Sequence, residues 1–188
     1  MKRILLLVFA VIIHVSAFGQ FKLTANGMKA NENEDAEFIV IQCDGKGQRE
    51  LFNIVLAYAN RTYNSPNFVV SNVDDEMLTI SAESEIGLGK ALGMYDAIVD
   101  YKYKISIYFK DGRIRIDIPI ISFPYEASNG ARSRKVYLQG KTGMLSISIY
   151  NPEGKLREKE AREKIESDIN GIVTGIIQEV TNEAKEDW

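Results

Sequence analysis

The pair Asp111-Gly112 lies between two alternating runs and constrains the fold more than any other stretch of this chain. Tyr101 to Lys110 and Arg113 to Ile121 alternate large apolar with polar residues, the two-residue period of a half-buried strand. An Asp-Gly pair between such runs is the strongest short hairpin signal, because both turn positions favour positive φ. Pairing outward from Lys110 and Arg113 sets Phe109 opposite Ile114, Ile107 opposite Ile116, Ile105 opposite Ile118 and Tyr103 opposite Ile120. The other face then pairs Tyr108 with Arg115, Ser106 with Asp117 and Lys104 with Pro119. A slip of one residue mixes the two sets, so the register is strongly specified. One face is expected on a core and the other open to water or a partner.

Elements on either side follow from the same patterns. Glu37 to Gln42 is a β-branched strand that Asp44-Gly45-Lys46-Gly47 ends. Leu51, Ile54, Val55, Tyr58 and Ala59, widened by Phe52 and Leu56, predict an amphipathic helix from about Gln48 to Thr62. Asn64 to Asn67 is a loop, and Phe68–Val73 and Met77–Ala82 are short strands joined by the turn Asp74-Asp75-Glu76. Glu83 to Gly93 reads as Gly-rich and irregular, and Phe123 to Lys141 as polar and basic with a short strand at Val136 to Leu138. Leu145, Ile147 and Ile149 alternate with polar residues as a further strand; Asn151-Pro152 is a break suited to capping a helix. A second helix is expected from Lys155 to Ala184, with the stripe Ala161, Ile165, Ile169, Ile172, Val173, Ile176, Val180, Ala184. The order β-α-β-β-β-β, an irregular or hairpin stretch, then α predicts an α+β domain: an antiparallel sheet with two helices on one face.

The amino terminus reads as an export signal. Met1-Lys2-Arg3 is basic, Ile4 to Val15 is apolar, and Ala17 and Gly19 are the small residues that signal peptidase accepts. The apolar run is too short to span a bilayer, which needs about 20 residues, and no Cys follows to take a lipid. The expected organisation is therefore a signal peptide over 1–19, a polar tether over 20–35 and a single domain over 36–188, in the periplasm or secreted.

The strand-then-helix opening through Phe52 and Leu56, the Gly-rich stretch and Tyr108-Phe109-Lys110-Asp111-Gly112-Arg113-Ile114-Arg115 carry a family resemblance. Over roughly residues 36–125 the chain resembles a secreted Bacteroidetes domain of unknown function with a TBP-like fold. The resemblance implies a TBP-like fold and an exported location; the family has no assigned catalytic residues to transfer. A topological likeness to TBP licenses no claim about DNA.

Composition narrows the chemistry. Removing residues 1–19 removes His14, the single His, and leaves 21 basic against 26 acidic residues, a net charge of −5. Without His there is no Ser-His-Asp or Cys-His pair, and one Cys without His does not make the usual zinc site. Cys43, alone, forms no internal disulfide and reads as a small apolar residue at a strand end. An acidic chain is a poor match for nucleic acid, whose binding rests on phosphate neutralisation. No cofactor motif is present. Gly87-Leu88-Gly89-Lys90-Ala91-Leu92-Gly93 fits neither the dinucleotide nor the Walker spacing, and Asp74-Asp75-Glu76 with Glu83 and Glu85 lacks the calcium-loop spacing. Gly171 and Gly175 are read as close packing of the second helix on the sheet, and Asn60-Arg61-Thr62 as an incidental sequon.

The residues best suited to binding are Lys104, Tyr108, Lys110, Arg113 and Arg115 on the open hairpin face, joined by Arg132, Arg134 and Lys135. A basic, aromatic surface on an acidic protein selects for an anionic partner; its plainer role is to solvate and protect an exposed sheet. The expected function is a non-catalytic envelope module binding a protein, peptide or glycan, with no nucleic acid and no membrane span. Two alternatives are a two-carboxylate hydrolase using Asp117 and a carrier of an apolar ligand between helices and sheet.

Overall fold

The Asp-Gly turn joins β6 (Ala97–Lys110) to β7 (Arg113–Asp117), with Phe109 opposite Ile114 and Tyr108 opposite Arg115 as the alternation requires. The computed structural model describes residues 19–65, 69–89, 97–124, 127–128, 133–144 and 146–182, with backbone only at 127, 128, 133 and 134. Residues 1–18, including His14 and most of the export signal, and Lys90–Gly93 lie outside the described residues. The main antiparallel sheet runs β3 (Phe38–Gln42), β7, β6, β5 (Met77–Leu88), β4 (Val70–Val73), and β8 (Ile120–Ser122) pairs with β6 beyond the end of β7. Glu83 to Leu88 is not irregular: it extends β5, which pairs with β6 along twelve residues.

The hairpin register departs from expectation after Asp117. Lys104 faces Ile120 and Tyr103 faces Ile121, one residue out of step with the pairs nearer the turn. Pro119 has no N–H to donate and interrupts the ladder, while the N–H of Ile118 bonds to the Glu37 carbonyl at 3.0 Å. Ile121 thereby takes the inner position and Ile120 is turned out, 63% exposed.

The turn departs too: of its two central residues only Gly112 has positive φ, at 74°. Its partners explain this. The Gly112 N–H bonds to the Lys46 carbonyl at 2.9 Å and the Cys43 N–H to the Gly112 carbonyl at 2.7 Å. The Asp111 carboxylate accepts the Gln48 N–H at 2.8 Å, at the start of helix α1 (Gln48–Thr62), where Gly47 has no side chain to cap it. The hairpin tip is thus clamped to the first helix.

Helix α2 (Lys159–Thr181) lies beside α1, and both contact β5 on the same face of the sheet. It begins later than the periodicity suggested, because Asn151 uses its side-chain oxygen to close a turn on the Lys155 N–H, with Gly154 at φ 78°. Between helices and sheet, Leu51, Val55, Ile80, Ile105, Ile107, Ile165, Ile169 and Val173 are fully buried and fill the space considered for an apolar ligand. Gly175 packs on α1, not on the sheet: an added Cβ would come within 2.7 Å of the Tyr58 ring, whereas Gly171 faces open space.

Residues 20–35 are not a polar tether. β1 (Phe21–Thr24) and β2 (Gly27–Ala30) form a hairpin whose Phe21, Leu23, Met28 and Ala30 are buried. The physical reason is burial every second residue, with Gly27 at φ 109° in the turn. Helix α2 satisfies the outer edge of β1: the Asn170 carboxamide bonds both N–H and C=O of Phe21, at 2.9 and 2.8 Å, and Glu166 accepts the Leu23 N–H at 2.8 Å. Only 31–35 remains an exposed connection.

A small sheet completes the structure. β10 (Ser133–Gln139), longer than expected, pairs in parallel with β11 (Ser146–Tyr150) and antiparallel with β9 (Ala127–Ser128). The return is short for a parallel pair; the buried Ser148 hydroxyl anchors it by donating to the Gly140 carbonyl at 2.8 Å, with the Thr142 hydroxyl 3.1 Å away.

Candidate functional site

The face of the sheet that the described residues leave open collects part of the expected set. Tyr108, Lys110, Arg113 and Arg115 come together at the β7 end and, with Phe38, Val40 and Ile114, line an open groove of about 540 Å³. Lys104 does not join them. It lies four residues along β6 from Tyr108, roughly 13 Å at the usual strand rise, between Ser81 and Ile120. Lys135 is exposed on β10, in the other sheet; Arg132 and the side chain of Arg134 lie outside the described residues.

Three groove residues were missing from the expected set: the buried Ile114, and Phe38 and Val40, 42% and 43% exposed. Alternation along β3 was the available signal, since Ile39 and Ile41 turn toward the helix side and leave Phe38 and Val40 on the open side. Register aligns Val40, Arg115, Tyr108 and Met77 in one row across four strands.

Arg115 sits at the centre of the groove. Its guanidinium carbon is 4.2 Å from the Tyr108 ring centre and 5.0 Å from that of Phe38, so the cation is stacked between two aromatic faces. Its Nε lies 3.0 Å from Oδ1 of Asp117, close enough to pair electrostatically but without hydrogen-bond alignment. Lys110 and Arg113 face each other across the turn, and among the described residues neither has an ion-pair partner. Like charges directly opposite destabilise a hairpin, so this end of the face carries positive charge that the fold leaves unbalanced.

Other candidate chemistry is less well placed. Asp117 is held by Arg115, and the open-face carboxylate of Glu83, paired with Lys102 at 2.8 Å, is about four residues farther along the sheet, again roughly 13 Å. No described trio of His, Cys, Asp or Glu is arranged to hold a metal ion, and no described helix is long and apolar enough to cross a membrane. Cys43 is buried, and burial pushes its thiol above the ordinary range. Under the helices, Asp168 accepts bonds from Ser84, Tyr101 and Lys164 at 2.8, 2.8 and 2.5 Å. Burial raises the Asp168 carboxyl, but these donors and the Lys164 charge outweigh it and hold the group below its ordinary range. That cluster ties α2 to the sheet.

Residues 39–123 match the family described as a domain of unknown function (DUF4468) with TBP-like fold. These residues form a DUF4468 domain. The DUF4468 region runs from β3 to the end of β8, so it holds every groove residue except Phe38; β1, β2, the small sheet and α2 lie outside it. Two solved structures are similar to the chain: a TBP-like protein from Parabacteroides distasonis ATCC 8503 and a DUF4468 family protein from Bacteroides ovatus ATCC 8483. The first has 17% identity, covers 74% of this chain and 90% of its own, and has a TM-score of 0.49. The second has 11% identity, coverage of 80% and 88%, and the same TM-score of 0.49. No curated protein matches.

Proposed function

We propose that this chain is an exported, non-catalytic binding module whose open sheet face takes an anionic protein partner. One observation carries the reading: Lys110 and Arg113 face each other, without counter-ions among the described residues, beside the Arg115 stack, along a groove of about 540 Å³. Aromatic faces and Arg are the residue types that dominate protein recognition surfaces, and here they stand on a chain whose net charge is −3. The signal-like start and the onset of β1 at Phe21, two residues after the expected cleavage site, support export of the domain with its first hairpin whole. The test is titration of an acidic, Glu-rich peptide into the wild type and into Lys110→Glu/Arg113→Glu. The wild type is expected to bind, to weaken from low to moderate salt as exposed charges are screened over ~8–10 Å, and to lose at least 10-fold in affinity on charge reversal. Equal binding by both proteins would remove this face from consideration.

A further inference from the structure

We infer that β3 is an acceptor strand: the anionic partner docks as an extended acidic segment that adds to the free edge of β3 and continues the main sheet. This inference rests on the anionic-partner reading of the open face and specifies the form of the partner. Among the described residues β3 is the terminal strand on its side of the sheet. The Glu37 carbonyl and the Cys43 N–H both bond toward the β7 side, so odd-numbered residues of β3 face the ladder. Phe38, Val40 and Gln42 therefore turn their N–H and C=O groups to the outer edge. Natural edge strands carry Lys, Pro, bulges or a covering element to discourage further pairing. The β3 sequence Phe-Ile-Val-Ile-Gln has no charge, Pro or bulge, and Phe38 and Val40 stand exposed on the groove side.

Charge chooses the occupant. An added strand would lie about 5 Å outside β3 and about 10 Å from β7. One set of its alternate side chains would stand on the groove face, next to Phe38, Val40 and Gln42 and reaching across them toward the long Arg113 and Arg115 side chains. The other set would stand beside the half-buried Ile39 and Ile41. Acidic residues suit the first set and β-branched residues the second. A second copy paired through its own β3 would instead bring two Lys110, Arg113 and Arg115 clusters together. Strand addition of this kind draws affinity from main-chain bonds and selectivity from alternate side chains.

The probe is a capped nonapeptide alternating Glu and Val, compared with its Lys–Val counterpart and with a Glu–Val peptide N-methylated at alternate residues. The protein variant is Val40→Pro, tolerable because the Val40 N–H points away from the ladder; its melting temperature is checked, and the N-methylated peptides, made in both phases, test the same bonds without altering the protein. The Glu–Val peptide is expected to bind at least 10-fold tighter than Lys–Val, and to lose at least 10-fold against Val40→Pro, on N-methylation in one phase, and against Lys110→Glu/Arg113→Glu. Unchanged binding by Val40→Pro and by both N-methylated peptides, with loss on charge reversal, would overturn the acceptor strand and leave the anionic face standing. Loss with Val40→Pro but not on charge reversal would overturn the acidic class, and no change in any arm would overturn both readings. Sedimentation showing concentration-dependent association that Val40→Pro abolishes would assign the edge to another copy of the chain and overturn the proposal.

Discussion

The Arg115 guanidinium carbon lies 4.2 Å from the centre of the Tyr108 ring, on the row that crosses from β3 to β5. This stack is on the solvent side of a sheet whose other side is the core, so the two faces answer differently to substitution. Tyr108→Ala is expected to change stability by about 1 kcal/mol or less, the scale of a surface cation–π contact. Ile116→Asp puts an unpaired charge where the side chain is fully buried, at a cost of several kcal/mol, and is expected to unfold the domain. Urea melts of both variants check this; equal losses or the reverse order would mean that the faces are assigned backwards.

Gly171 and Gly175 are four residues apart on α2 but differ in surroundings. Gly171→Ala should gain about 0.5–1 kcal/mol, because Ala is the better helix former and the added methyl meets nothing. Gly175→Ala should gain less or lose stability, since the Tyr58 ring has to move to admit the methyl. Thermal melts of the pair give the sign at each position.

Asp168 links acid stability to the junction of α2 with the sheet. Its folded carboxyl sits below the ordinary value of 3.8, so the folded state resists protonation more than the unfolded chain. The stabilisation is therefore full above the unfolded pKa and is lost as pH falls through the lower, folded value. Asp168→Asn should cost about 1–3 kcal/mol at neutral pH, the range for breaking a charged, mostly buried bonding set, and the gap from wild type should close in acid. Denaturant melts from pH 7 down to the acid limit of folding measure both.

Cys43 should resist alkylation in the native state. The thiol is buried and its titration is pushed upward by that burial, and the thiolate is the reactive form. Iodoacetamide at mildly alkaline pH is expected to leave the native protein unmodified and to label it fully in urea. Prompt native labelling would mean that the end of β3 opens readily.

The central hairpin was legible in the sequence over Ile107 to Ile116, where alternation on both strands fixes the pairing, and not beyond Asp117, where Pro119 shifts it by one residue. Helix α1 was legible to the residue, since Gly47 and Tyr63 bound a clean apolar stripe. Asn26-Gly27 between Phe21-Lys22-Leu23 and Met28-Lys29-Ala30 carried the same kind of signal as Asp111-Gly112, but in runs too short for the pattern to stand out from a polar leader. What burial these residues achieve depends on Asn170 and Glu166, some 150 positions away, which local pattern does not reveal. The groove was half legible for a related reason. Tyr108, Lys110, Arg113 and Arg115 share one hairpin, whereas Phe38 and Val40 reach it only through the β3–β7 pairing, and Lys104 leaves it only through distance along β6.

The most direct test of the account is a backbone-amide NMR titration of the wild type with the capped Glu–Val nonapeptide. The expected result is a contiguous set of shifts at Phe38, Val40, Gln42, Tyr108, Lys110, Arg113 and Arg115, saturating together and reversing in high salt. Shifts centred on the acidic turn Asp74-Asp75-Glu76 or on the helix face, or no saturable shifts at millimolar peptide, would contradict it.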